Sequence, residues 1–198
     1  KNKETLLLMV GAGASVNAVN LKGETALIRA SMYGLFEAVQ WLIAAEADLN
    51  ICTKSGYTAL MEASHIRDEH CVQSSGYLKY EKTVRLLLSA GADVNAGDYE
   101  GMGWSALYCA LEKRMVPNIV KLLIEAGADV NKPGLNGENT LGFAMALNSD
   151  ESIVRQLIVA GADVNVIDCN GAGLTALAYA LLTNSDESII QFLRDAGA

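Results

Sequence analysis

Apolar residues recur along this chain in two alternating kinds of short segment. One kind is alanine-rich and opens behind a hydroxyl or amide side chain, as in TALIRAS at 25–31 and SALYCAL at 105–111. The other spaces its apolar residues three and four apart, as in TVRLLLSA at 83–90 and NIVKLLIEA at 118–126. Both patterns predict helices with one buried face. Thr25, Thr58, Ser105, Asn139 and Thr175 stand where the first kind begins. All five are residue types whose side-chain oxygen accepts a free backbone N–H at a helix start. A glycine-containing turn precedes each: KGET, SGYT, GMGWS, NGEN and GAGLT. The unit is therefore turn, short helix, turn, longer helix, turn.

A closing pentamer sets the period. It reads GASVN at 13–17, EADLN at 46–50 and GADVN at 91–95, 127–131 and 161–165, with a truncated GA at 197–198. The starts are 33, 45, 36, 34 and 36 residues apart, a spacing that marks stacked-repeat architectures. The glycine suits the left-handed residue that follows a helix, and Glu46 in its place is expected to cost about 1 kcal/mol. The hexamer NSDESI occurs at 148–153 and again at 184–189, ahead of the longer helix in two successive units. Ser149 and Ser185 are expected to cap those helices, with Asp150, Glu151, Asp186 and Glu187 in the first turn facing the positive end of the dipole.

These boundaries predict a single domain over 1–198. It comprises a half repeat at 1–17, with Leu6, Met9 and Val10 on its packing face, then repeats at 18–50, 51–95, 96–131, 132–165 and 166–198. The third unit carries about a dozen extra residues near 65–78. Its first helix is expected to run past Ile66, QSSG at 73–76 to turn, and the second helix to start near Tyr77. Neither terminal unit has the polar outer face of a capping repeat, so further repeats or domains are expected to flank the chain.

Together these residues resemble the ankyrin repeat over essentially the whole chain. The resemblance is carried by the G-x-T-A-L turns at 23–27, 56–60 and 173–177 and by the GADVN closers. It implies an all-α solenoid of stacked antiparallel helix pairs with β-hairpin fingers along one edge, about five full repeats plus the half repeat. Four departures stand out. Ala26, Ala59, Ala106, Thr140 and Ala176 replace the family's proline. Ile28, Met61, Tyr108, Gly142 and Ala178 replace its histidine, which shifts stability towards apolar packing. Extended fingers (EGMGWS and NGAGLT) and the insertion in the third unit complete the set.

Composition narrows the function. The 198 residues are 51% apolar and 19% charged, with a net charge of −8 and no basic cluster, which weighs against nucleic acid or an anionic membrane as partner. No apolar run reaches the roughly 20 residues of a membrane helix. The apolar run in KNKETLLLMVGAGAS is also too short for a secretory signal. Four cysteines without a CxxC predict free thiols in a reducing, intracellular setting, cytoplasmic or nuclear. GAGAS at 11–15 lacks the lysine of a phosphate loop. His65, Asp68, Glu69, His70 and Cys71 are metal-ligand types, but no further ligand lies at the right spacing, and a solvated loop is expected. No cofactor, no metal and no enzymatic activity are expected.

The resemblance implies that a partner docks on the concave face, formed by the fingers and the open side of each first helix. Those positions are Tyr33, Lys54, Tyr57, Glu62, Tyr99, Glu100, Met102, Trp104, Lys113, Leu135, Phe143, Leu174 and Tyr179, with Leu21, Lys22, Glu24, Arg29 and Cys109 among their neighbours. Aromatic residues in an exposed groove often carry interface energy. Trp104 is the sharpest candidate. Phe143 and Tyr179 could equally turn inward, and Trp41 is expected to pack. A protein or peptide partner is therefore expected. The alternative is a substrate-recognition or adaptor segment of a larger enzyme or ubiquitin ligase, and a sensor of small ligands or oligonucleotides comes last because the groove is of mixed charge.

Overall fold

The structure, a computed structural model, describes residues 12–66, 76–97, 105–112, 117–134, 139–147, 150–167, 173–183 and 185–198. Ten helices and no strands occur among them, in five pairs. The pairs are α1 (Ala26–Met32) with α2 (Phe36–Ala44), α3 (Ala59–Ser64) with α4 (Tyr77–Ser89), α5 (Ala106–Glu112) with α6 (Pro117–Glu125), α7 (Thr140–Ala146) with α8 (Glu151–Val159), and α9 (Ala176–Leu182) with α10 (Glu187–Asp195). Odd-numbered helices pack on one another in chain order, and so do the even-numbered ones, so the pairs form two parallel rows. The expected half-repeat residues Leu6, Met9 and Val10 lie outside the described residues.

Each short inner helix starts where its cap residue predicts. The side-chain oxygens of Thr25, Thr58, Ser105, Asn139 and Thr175 accept from the N–H groups of Ile28, Met61, Tyr108, Gly142 and Ala178. In the first four inner helices a leucine two residues after the cap is then buried between pairs. Leu27, Leu60, Leu107 and Leu141 are each 1% exposed. The outer helices supply apolar residues three and four apart: Val39 and Leu42, Val84 and Leu87, Ile119 and Leu123, Ile153 and Leu157, Ile189 and Leu193, all buried. Ile28, Met61 and Tyr108, at the register position where the ankyrin pattern has a histidine, are buried too. Apolar packing fills the place of that side chain.

The closing pentamer does two jobs. It ends the outer helix and ties neighbouring units together. In the fourth unit, Gly127 N–H donates to Ile124 and Ala128 N–H to Leu123, satisfying the last carbonyls of the helix, with Gly127 at φ 87°. The asparagine closing one unit then reaches the next. Asn131 Oδ1 accepts from Asp163 N–H at 2.8 Å, and its Nδ2 donates to Gly161 O at 2.9 Å. Asn95 makes the same two bonds to Asp129 and Gly127. Asn17 and Asn50 accept from Asp48 and Asp93. Each of those aspartates accepts in turn from the asparagine two residues on. The asparagine is thus a rung between units as well as part of its own turn.

The repeated hexamer also starts helices, but the caps are shifted by one residue from expectation. Asp150 and Asp186 are the N-caps, accepting from the N–H groups of Ser152 and Ser188. Ser185 Oγ instead pairs with Thr183 Oγ1, and Ser149 lies outside the described residues. A carboxylate at the cap outcompetes serine because it carries full charge towards the dipole. Hydrogen bonding from the Ser152 side chain first, and then from its backbone N–H, holds the Asp150 carboxyl below its usual range. The two copies touch as well: Ser188 Oγ donates to Glu151 Oε1 at 2.9 Å.

In the third unit, α4 begins at Tyr77 as expected, but α3 ends at Ser64 and does not pass Ile66. Ser64 Oγ donates back to Leu60 O at 2.8 Å, a bond that competes with helix propagation. His65 follows as the C-cap, and its Nε2 lies 3.0 Å from Glu112 of the next unit. The remainder of the insertion, 67–75, lies outside the described residues.

Glu46 is the one described non-glycine residue at positive φ, at 59°. At the equivalent Gly91, Gly127 and Gly161 an added Cβ would meet nothing within 4 Å. Space is therefore not what favours glycine there, and the cost at Glu46 is torsional alone. Glu46→Gly should raise stability by about 1 kcal/mol, read as a higher urea midpoint at unchanged slope.

Candidate concave binding groove

The finger turns are built from local polar contacts. In the second unit, Asn20 Oδ1 accepts from the N–H groups of Lys22 and Glu24. In the third, Thr53 Oγ1 accepts from Ser55 and Tyr57. Each turn then folds back on itself, Asn20 N–H to Glu24 O and Thr53 N–H to Tyr57 O. A further bond joins the two turns, from Lys54 N–H to Lys22 O at 3.0 Å. No strand is present among the described residues, so these turns carry the fingers' hydrogen bonding without a sheet.

A groove of about 470 Å³ opens between the two turns and the inner helices. Leu21, Lys22 and Glu24 form one wall, and Thr53, Lys54, Ser55 and Tyr57 the other. Met32 of α1 and Glu62 of α3 form the floor. Lys54 and Tyr57 thus line the same groove, Lys54 exposed and Tyr57 half-buried against the core. Glu62, expected on the open side of its helix, is 3% exposed and lies deep. Cys109, expected on the same face, is fully buried. Both share a register position with Arg29, whose side chain stays 48% exposed. What packs against that position in the assembled stack differs from unit to unit, and the period does not encode it.

Electrostatics at the groove wall centre on Glu24. Its Oε2 accepts from Asn20 Nδ2 at 2.7 Å and lies 3.4 Å from Arg29 Nη1. The Asn20 bond first, and then the charges of Arg29 and Lys22, hold this carboxyl below the usual glutamate range. Arg29 also lies over the Tyr33 ring, 5.3 Å from its centroid.

Other expected groove residues fall elsewhere. Tyr33 is 49% exposed but lines a separate depression of about 450 Å³ with Leu35, Trp41 and Ala26, away from Lys54 and Tyr57. Phe143 is half-buried and stacks on Tyr108, ring centroids 4.1 Å apart. Tyr179 and Leu174 are half-buried in the last unit, Tyr179 packed against the core. Tyr99, Glu100, Met102, Trp104, Lys113 and Leu135 lie outside the described residues. Leu21, Lys22 and Glu24, positions of this face in the sequence pattern, form a full wall. Their signal was the finger position itself.

Among the described residues, no cluster of three or more metal-ligating side chains occurs. Nor is any helix there long and apolar enough to cross a membrane. Cys52, exposed, and Cys109 are free thiols.

The family model described as ankyrin repeats (3 copies) matches residues 1–96, 70–134 and 117–198, which together span the chain. No curated protein matches it.

Because Glu24 is favoured in its charged form by the fold, it stabilises the protein in full above the ordinary glutamate range. That contribution is lost as the pH falls through the lowered folded-state value. Carboxyl-carbon NMR should place the Glu24 midpoint below that of an exposed glutamate. Asn20→Ala should move it up towards the ordinary range, and an unmoved midpoint would show that the Asn20 bond is not its cause.

Proposed function

The chain belongs to the ankyrin repeat family, and from that premise we propose that it is a non-catalytic interaction module gripping a protein or peptide partner in its concave groove. Ankyrin repeats generally mediate protein–protein interaction and are typically not catalytic. The observation that carries the proposal is the groove between the second and third units. It is concave and bounded by two turns held to each other by the Lys54–Lys22 backbone bond. Its lining mixes a half-buried aromatic residue, aliphatic side chains and charged ends, the makeup of a recognition surface. Tyr57 is the aromatic residue of this lining, and its backbone N–H is held by Thr53. The site works by shape and contact, and in our reading the later fingers, with Trp104, Leu174 and Tyr179, extend it along the stack. The free thiols Cys52 and Cys109 fit a reducing intracellular setting.

The test is quantitative capture with matched variants. Wild type and Val159→Ala, a change at a side chain 79% exposed on α8, should retain the same partner. Tyr57→Ala should weaken that partner by about 2 kcal/mol, near thirtyfold, with its fold intact by circular dichroism. Trp104→Ala should do the same. Retention of every partner by both variants would place the binding surface elsewhere.

A further inference from the structure

We infer that the mouth of this groove is selective for an acidic peptide segment, one with a carboxylate side chain beside a bulky apolar one. This deepens the proposed function and rests on it. Lys22 and Lys54 sit on adjacent turns, joined by the hydrogen bond between their backbones. The approach is fixed: a Cβ on Gly23, at φ 79°, would meet Lys54 N at 2.9 Å. Both lysines are exposed, and neither ammonium forms an ion pair or side-chain hydrogen bond among the described residues.

The nearby carboxylates do not take up this charge. Glu24 feels Lys22, but its hydrogen bonds go to Asn20 and Arg29, and Glu62 is buried on the floor. Two like charges held on neighbouring turns repel, and an anion lying across them relieves the repulsion. In a chain of net charge −8 such a pair of cations, without an ion-pair partner among the described residues, runs against the overall field. A free acidic segment is repelled by the molecule as a whole and attracted at this spot, which favours correct placement over general adhesion.

Leu21 offers a contact for the apolar half of the ligand. It stands 93% exposed next to Lys22, with no core to enter. Met32 and Tyr57 lie below it in the same groove. An apolar side chain resting on Leu21, Met32 and Tyr57 puts a neighbouring carboxylate within reach of both lysines. Basic segments lack that anchor, because Lys22 and Lys54 would repel them.

The probes are three fluorescein-labelled octapeptide pools. Each has a central Leu or Phe flanked by two Glu, two Gln or two Lys, and binding is read by anisotropy at low and at physiological salt. Wild type should bind the Glu pool about tenfold tighter than the Gln pool, an advantage that shrinks as salt screens the charges. The double variant Lys22→Glu/Lys54→Glu should lose that advantage and gain affinity for the Lys pool. Lys82→Glu, on the outer helix α4, should behave as wild type. Equal binding of Glu and Gln pools, both lost in Tyr57→Ala, overturns the charge assignment and leaves the groove reading standing. Binding of no pool overturns both. A double variant that keeps the Glu preference also overturns the assignment. Urea midpoints close to wild type show that the variants are folded.

Discussion

Every helix pair in this molecule has two apolar sides, and only a neighbouring pair in register can cover them. At one inner-helix position Ser31, Ser64, Leu111 and Met145 are 0%, 3%, 0% and 3% exposed. The equivalent Leu181, with no described unit beyond it, is 55% exposed. Burial is thus supplied by the neighbour and not by the pair itself, as expected of a one-dimensional stack. Each buried leucine of the Leu27–Leu60–Leu107–Leu141 row contributes about 1.5–3 kcal/mol in the process. Apolar contact is non-directional, so register needs another source. The asparagine rungs provide it: a pair of hydrogen bonds such as those of Asn131 forms only at one offset between units.

Register in turn places the fingers. Because each unit is held at a fixed offset, the turn carrying Lys22 arrives beside the turn carrying Lys54 and the two share a backbone bond. The groove is what remains between those turns and the inner helices, with Met32 and Glu62 below. The exposed side chains at its mouth, Leu21, Lys22, Lys54 and Ser55, take no part in the stacking core. The convex side presents helix faces with paired ions, such as Arg85 with Glu81 and Arg155 with Glu151. At the groove mouth Lys22 and Lys54 are exposed and form no ion pair among the described residues.

Much of this architecture was legible in the sequence because the relevant signals are local. The five N-caps, the glycine stops, the odd Glu46 and the start of α4 at Tyr77 all follow from a residue and its near neighbours. Legibility failed where two local options competed or where distance in space decided. Asp150 and Asp186 took the caps from the serines one residue earlier, and Ser64 bonded backwards and ended α3 early. Glu62 and Cys109 shared Arg29's place in the period but not its exposure, since the packing above them is a property of the assembled stack. The pairing of His65 with Glu112 crosses units and left no trace in the periodicity.

The claim that recognition occurs inside the finger groove is open to direct mapping. Amide chemical-shift perturbation on the labelled protein, titrated with its captured partner, would locate the contact without any mutation. The largest changes should fall on Leu21, Lys22, Lys54, Ser55 and Tyr57, with the outer helices α2, α4 and α8 undisturbed. Changes centred on those outer helices, with the finger amides silent, would contradict it.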